Sequence, residues 1–202
     1  MSSTHNLPSK IDNKPAVNGL VLAGGKSTRM GEDKGEISYH GLPQRQYAAQ
    51  LLNRHCAQTF ISSSKKIESS FEVIPDIKSD LGPFGGIVSA FKHDPNAAWL
   101  VVAVDMPLLS EATIRQLISE RNPSKVATCF YNPETQLPEP LLTLWEPKAY
   151  PILLQSLDKN DFCVRKLLVN DDVAALQASN SDVLLNANTP EEKQDLLTKI
   201  HG

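Results

Sequence analysis

The chain has 202 residues, enough for one domain with a substantial core. Its formal net charge is -3, from 20 Lys and Arg against 23 Asp and Glu, with no long like-charged run; this argues against a nucleic acid or a membrane held by a basic face. Cys56, Cys129 and Cys163 stand far apart with no Cys-x-x-C, so they read as small apolar residues in a reducing cytoplasm rather than a disulfide or zinc framework.

Residues 1–15 are polar, lack the apolar stretch of a secretory signal, and read as a disordered lead-in or linker. Short apolar runs then alternate with helical patterns, as expected for a mostly parallel sheet flanked by helices. Residues 17–23 form the first strand. Pro43 opens a helix with Tyr47, Ala48, Leu51 and Leu52 on its apolar side. Residues 59–61 and 71–74 are the next strands, the latter ending at Pro75-Asp76. Gly82-Pro83-Phe84-Gly85-Gly86 opens a helix to about residue 93. Residues 99–104 are continuously apolar, the mark of a central strand buried on both faces, and stop at Asp105-Met106-Pro107. Ser110 caps a helix to about residue 120, and residues 126–130 form a strand. Further on, residues 141–145 read as a strand, 146–157 and 161–169 as helices, and 183–185 as a short strand. Thr189, Pro190 and Glu192 spell a capping box at the start of a last helix.

The most informative stretch runs from Val21 to Lys34. An apolar strand ends in Gly24-Gly25, followed by Ser27, Thr28, Arg29, Gly31 and Lys34. Paired glycines let backbone N–H groups approach an anion with no Cβ in the way, and two basic side chains follow. The natural guest is a polyphosphate, with Arg29 and Lys34 as clamps. A Walker A loop is excluded because Leu20 stands where its first glycine belongs, and the spacing of Gly24, Gly25 and Gly31 does not fit a dinucleotide fingerprint. Asp33 reads as a local turn residue or a partner of Arg29.

In an open α/β sheet the ligand lies beyond the carboxyl ends of the strands. The glycine bend, the turn 82–86 and Asp105 all fall there. A carboxylate ending an apolar strand needs a cation or several donors, and Mg²⁺ shared with substrate phosphates suits a single carboxylate. The glycines of the 82–86 turn serve either ligand approach or tight helix–sheet packing. Asp76 is either a base or ribose contact or a solvated turn residue. His40 and His55 read as structural or solvated, and no Ser-His-Asp or Cys-His set suggests covalent catalysis.

The pattern Leu22-Ala23-Gly24-Gly25-x-Ser27-x-Arg29-Met30-Gly31-x-Asp33-Lys34, with Pro75-Asp76, Gly82-Pro83-Phe84-Gly85-Gly86-Ile87, Val104-Asp105-Met106-Pro107 and Asn186-Ala187-Asn188-Thr189-Pro190-Glu191, resembles the MobA-like nucleotidyltransferase family that includes molybdenum cofactor guanylyltransferases. The resemblance runs from Val17 to the end, in the family's order. It implies an α/β fold of three layers, Rossmann-like, with a mostly parallel sheet flanked by helices (the nucleotide-diphospho-sugar transferase type), in one nucleotidyltransferase domain over residues 16–202. It implies a cytoplasmic enzyme that moves GMP from GTP to the phosphate of molybdopterin or molybdenum cofactor, with Mg²⁺ as cofactor and other molybdenum cofactor biosynthesis proteins as partners.

By the same resemblance Leu22, Ala23, Gly24 and Gly25 line the nucleotide, joined by Asp76 and Gly82. Lys34 and Arg29 hold phosphates, Asp105 binds Mg²⁺, and Asn186 and Asn188 lie on the metal or acceptor side. Ser62-Ser63-Ser64 departs from the family, whose guanylyltransferases often carry Asn at that strand end. Residues 137–145 are similar to the family's acceptor-side segment. Arg165-Lys166 either meets a pterin phosphate or faces solvent. The rival readings are a transferase using CTP or a sugar phosphate acceptor, and a non-catalytic guanine-nucleotide-binding protein.

Overall fold

The structure, a computed structural model, describes residues 14–24, 33–78 and 80–201. Seven strands form one sheet in the order β3-β2-β1-β4-β6-β5-β7. In chain order they are β1 (Val17–Leu22), β2 (Thr59–Ser63), β3 (Glu72–Pro75), β4 (Ala98–Ala103), β5 (Ala127–Asn132), β6 (Leu137–Trp145) and β7 (Val173–Gln177). All run parallel except β6, which is antiparallel to both β4 and β5. The described residues form six α-helices: α1 (Gln44–Asn53), α2 (Pro83–His93), α3 (Glu111–Ser119), α4 (Ala149–Asp158), α5 (Val164–Asn170) and α6 (Pro190–His201).

Strand alternation divides the core. Leu20, Phe60, Trp99 and Val101 face a layer built with α2, α4 and α5, while Val21, Ile61, Leu100 and Val102 face α1 and α3. β4 is buried on both faces, as its unbroken apolar run requires. A third cluster joins Ile37 and Tyr39 to Ala187 and Leu196, docking the start of α6 beside the segment that follows the glycine bend. Local signals act as read: the Ser110 hydroxyl accepts from Thr113 N (3.2 Å), Glu192 N donates to Thr189 Oγ1 (3.2 Å), and the Glu192 carboxylate accepts from Thr189 N (3.1 Å).

Three features differ from the sequence reading. Residues 183–185 are not a strand: Ser181–Leu184 is a 3₁₀ turn capped by Asn180, whose side chain accepts from Asp182 N. Both edges of β4 are already taken by β1 and β6, so Val183 and Leu184 find burial from a turn. β6 begins at Leu137 rather than 141, because Pro138 and Pro140 read as breakers yet sit where β5 and β6 shift register. β7 carries only Val173 and Leu176 as large apolar residues on a half-exposed edge, too weak a pattern to see. Cys163 is also exposed, against expectation, whereas Cys129 is buried and Cys56 half-buried. Burial pushes the Cys56 and Cys129 thiols up to about 12, which keeps them inert near neutral pH.

The most buried ion pair anchors the chain where it enters the sheet. Arg121 Nε and Nη2 donate to the two Glu146 oxygens (2.6 and 2.7 Å), and Nη1 donates to the Pro15 carbonyl (2.9 Å). The two side chains are 5% and 1% exposed. Removing one member leaves a buried charge unpaired, so Arg121→Ala is expected to cost about 3–5 kcal/mol in urea unfolding. Lys125→Ala, which breaks an exposed pair with Asp172, should cost no more than about 1 kcal/mol. Equal costs would remove Arg121 as an anchor.

Candidate active site

β1 and β4 are parallel neighbours, with Leu22 level with Ala103. The residues that leave them, Ala23-Gly24 and Val104-Asp105, therefore emerge side by side at the carboxyl edge. They line a cleft of about 190 Å³ together with Lys34, Asp33, Pro83 and Leu141. The glycine bend and the acid that ends the apolar strand thus open onto one space.

Asp105 is poised between two demands. Its side chain is 18% exposed, and Oδ2 lies 3.6 Å from Lys34 Nζ. Oδ1 is buried with no hydrogen-bond donor. Burial pushes this carboxyl above the usual carboxylate range, and Lys34 draws it back in part. The Asp105 carbonyl accepts from Ala187 N (2.8 Å), which fixes the residues 186–188 beside it. Asn188 Oδ1 accepts from Lys34 Nζ (2.8 Å), and Asn186 Oδ1 is likewise buried without a donor. Asp105 and Lys34 thus line the cleft, and the second orphaned oxygen, on Asn186, belongs to the segment bonded to the Asp105 carbonyl.

On the other side of the glycine bend, Ala23 N donates to the Ser62 carbonyl (2.9 Å) and Asp76 N to the Ser63 carbonyl (3.2 Å). The Ser62 hydroxyl, on a residue 1% exposed, donates to Asp76 Oδ1. The remaining oxygen, Oδ2, crowds Gly24: a Cβ there would stand 2.9 Å from it. Gly24 is glycine because the Asp76 carboxylate comes that close. Burial raises the Asp76 carboxyl above its ordinary range, with Ser62 lowering it in part.

The family model of the MobA-like NTP transferase domain matches residues 19–175, a span that holds the glycine bend, Asp76 and Asp105. The chain belongs to the MobA-like NTP transferase family. A molybdenum cofactor guanylyltransferase from Xanthomonas euvesicatoria pv. vesicatoria is 34% identical over 190 residues, covering 89% of this chain and 93% of that protein. A molybdenum cofactor biosynthesis bifunctional protein from Synechocystis is 34% identical over 179 residues, covering 86% of this chain and 52% of its own length; the chain spans about half of that relative. The crystal structure of molybdopterin-guanine dinucleotide biosynthesis protein A from Archaeoglobus fulgidus shares the fold, with a TM-score of 0.73 at 20% identity over 91% of this chain and 96% of that one. This MobA-like chain is a nucleotidyltransferase.

Within the MobA-like site, Leu22, Ala23, Gly24, Lys34 and Asp105 share the cleft, and Asp76 flanks it. Gly25 and Arg29 lie outside the described residues. Asp33 is a turn residue: Oδ1 accepts from Gly35 N (2.9 Å), and Oδ2 lies 3.5 Å from Arg45. Gly82, at φ +56, caps α2 and is exposed, while the next residue, Pro83, reaches the cleft. The glycines after it serve packing. A Cβ on Gly86 would sit 2.5 Å from Ser62 Oγ and 2.7 Å from Leu22 Cδ2, so α2 docks on the strands at that point. Lys166 is exposed and paired with Asp161, whereas Arg165 keeps a buried Nε with no partner. His40 bonds the Pro107 carbonyl (2.8 Å) and stacks on Tyr47, a structural role.

Sequence reasoning included Glu139 in the acceptor-side segment 137–145 but gave it no role of its own. It is 2% exposed, and continuing the register from Val102 opposite Leu142 brings it level with Asp105. Burial raises its carboxyl, and Asp105 adds to the rise; Leu141 N (3.0 Å to Oε1), Arg165 and Asn132 oppose it. An acid between two prolines in an otherwise apolar strand was the available signal.

The Asp76 shift has a sign that can be tested. Its folded carboxyl holds a proton more tightly than the unfolded one, so stability falls as pH rises through the window above about 4 and stays lowered beyond it. Asp76→Asn is expected to raise the melting temperature at pH 7.5 and to show no gain below about pH 4, while weakening nucleotide binding. A variant less stable than the parent at both pH values would refute the assignment.

Proposed function

We propose that the chain catalyses the transfer of GMP from GTP to the terminal phosphate of molybdopterin or molybdenum cofactor, releasing pyrophosphate. The single observation that carries this reading is the shared cleft: a backbone anion bend, a lysine and a buried, half-unpaired carboxylate meet there. An acceptor phosphate oxygen attacks the α-phosphorus, the α–β anhydride bond breaks, and pyrophosphate leaves with the electron pair. The acceptor phosphate is already anionic, so no general base is needed, and positioning with charge neutralisation supplies the catalysis.

The donor set fits Mg²⁺. Asp105 Oδ1 and Asn186 Oδ1 are hard oxygen ligands, buried, without donors, and tied together through the Ala187 N–H to Asp105 carbonyl bond. Among the described residues no group of three or more His, Cys, Asp and Glu could hold a metal, so substrate phosphates would complete the shell. When bound, the ion neutralises charge on the phosphates that Asp105 alone would repel. Lys34 exchanges its Asn188 contact for the β- and γ-phosphates, and the Gly24 backbone, with Gly25 and the Arg29 charge assigned to the same task from the motif, holds the departing pyrophosphate. Asp76 Oδ2 accepts from the base edge or ribose. Asn188, once released, faces the acceptor. We place the reaction in the cytoplasm, with residues 16–202 as one catalytic domain working among other molybdenum cofactor biosynthesis proteins.

The strand end Ser62-Ser63-Ser64, where guanylyltransferases often carry asparagine, supports a second reading in which the base is not guanine. Binding of GTP, CTP, UTP and ATP measured side by side separates the two. The defining assay supplies each triphosphate with Mg²⁺ and molybdopterin and follows pyrophosphate and dinucleotide together; tight GTP binding without either product would leave a non-catalytic nucleotide-binding protein. In that assay Asp105→Ala is expected to lower turnover by about 10²–10³ with the fold intact. Near-parental turnover in excess Mg²⁺ would remove Asp105 from the chemistry. Lys34→Ala should weaken GTP binding far more than GMP binding; equal losses would deny its contact with the β- and γ-phosphates.

A further inference from the structure

We propose that Arg45 is a positioning residue for nucleotidyl transfer, acting from beneath the turn 33–36 to set where Lys34 meets the phosphates. The inference rests on the nucleotidyltransferase reading of the cleft and assigns a role to a residue outside every motif of the sequence.

Arg45 is the second residue of α1, and its side chain is 8% exposed. Burying a guanidinium is expensive unless it is paired and hydrogen-bonded. Here it faces two carboxylates on either side of Lys34 in sequence. Nη2 pairs with Glu36, while Nη1, buried without a hydrogen-bond partner, lies 3.5 Å from Asp33 Oδ2. The Arg45 backbone N–H also donates to the Gly35 carbonyl (3.1 Å), and Gln44 N donates to the Ile37 carbonyl (2.9 Å), so the start of α1 is bonded along the turn. Gly35 gives the guanidinium its room: a Cβ there would meet Nη1 at 3.2 Å and Asp33 Oδ1 at 3.3 Å. From the front, Lys34 is held by Asn188 and Asp105. From behind, Arg45 bonds the Gly35 carbonyl through its backbone, pairs with Glu36 and stands within ion-pair distance of Asp33.

Two physical consequences follow. The turn is fixed relative to the sheet, so the lysine ammonium is presented at a defined depth, and displacements of an ångström at a charged contact are costly. Arg45 also neutralises Asp33 and Glu36, which would otherwise compete for the Lys34 ammonium and repel a triphosphate. A planar fork with five donors meets two carboxylates at once; a lysine at the same place is a point charge and satisfies one well.

The test is a double-mutant cycle using Arg45→Lys, which retains charge and protects the fold, with Arg45→Met as the harsher variant. Urea unfolding establishes that each variant is folded. Arg45→Lys is expected to weaken GTP binding about tenfold and GMP binding less than about twofold, because only the triphosphate reaches Lys34. In a Lys34→Ala background the same substitution should cost less than about twofold, since its route of action is gone. Asp33→Asn with Glu36→Gln should restore part of the GTP affinity lost in Arg45→Met. Equal losses for GTP and GMP, or an undiminished loss in the Lys34→Ala background, would overturn the proposal and leave Arg45 a structural ion pair. If the parental chain binds GTP but releases no pyrophosphate with any acceptor, the transfer reading fails while the binding cycle still decides the role of Arg45.

Discussion

The side-by-side exit of two parallel strands is the constraint from which the rest of the site follows. Leu22 and Ala103 lie in register, so the glycine bend and the Asp105 carboxylate are delivered to one place. The carboxylate is only partly satisfied within the protein: it keeps one oxygen without a donor, and burial holds its proton affinity high. Lys34 answers only part of that need at 3.6 Å. A polar group left buried and unpaired costs free energy, and such costs cluster where a ligand is meant to supply the missing partner.

The two sides of the bend are built differently. On the β4 side the chain returns from far away in sequence, Ala187 bonding Asp105 and Asn188 bonding Lys34, so the last helix is coupled to the catalytic edge. On the β2 side the pieces are local to neighbouring strands. Ser62 holds one Asp76 oxygen, Gly24 yields to the other, and Gly86 yields to Ser62. A single serine thereby links the docking of α2 at Gly86 to the orientation of the Asp76 carboxylate beside Gly24.

Much of this was legible in the sequence, for reasons that can be named. Parallel α/β order makes strand ends converge, so Gly24, Lys34 and Asp105 could be grouped from chain order alone, and local capping chemistry at Ser110 and Thr189 needs no tertiary information. What escaped depended on partners that only the fold supplies. β6 runs against the sheet with prolines at its start, so Glu139 gave no sign of standing level with Asp105. Residues 183–185 are apolar enough for a strand but pack with β4, both of whose edges are already paired. The purpose of Gly85-Gly86 stays open between ligand and packing in the sequence; in the fold Gly86 lies against Ser62 and Leu22, and Gly85 against Leu81 and the Lys78 carbonyl. Arg45 belongs to no motif, and its two carboxylates lie nine and twelve positions away on a turn.

The anchoring of Pro15 by Arg121 governs how the chain takes up tension. The carbonyl that Arg121 grips lies just before β1, at the amino end of a six-residue strand whose far end opens into the cleft. At about 3.3 Å per residue, roughly 20 Å of sheet separates that grip from the cleft. The chain is therefore fastened to the sheet at the rim opposite the cleft, and a pull applied at Pro15 is borne by the Arg121–Glu146 pair before it reaches the strand end that lines the cleft.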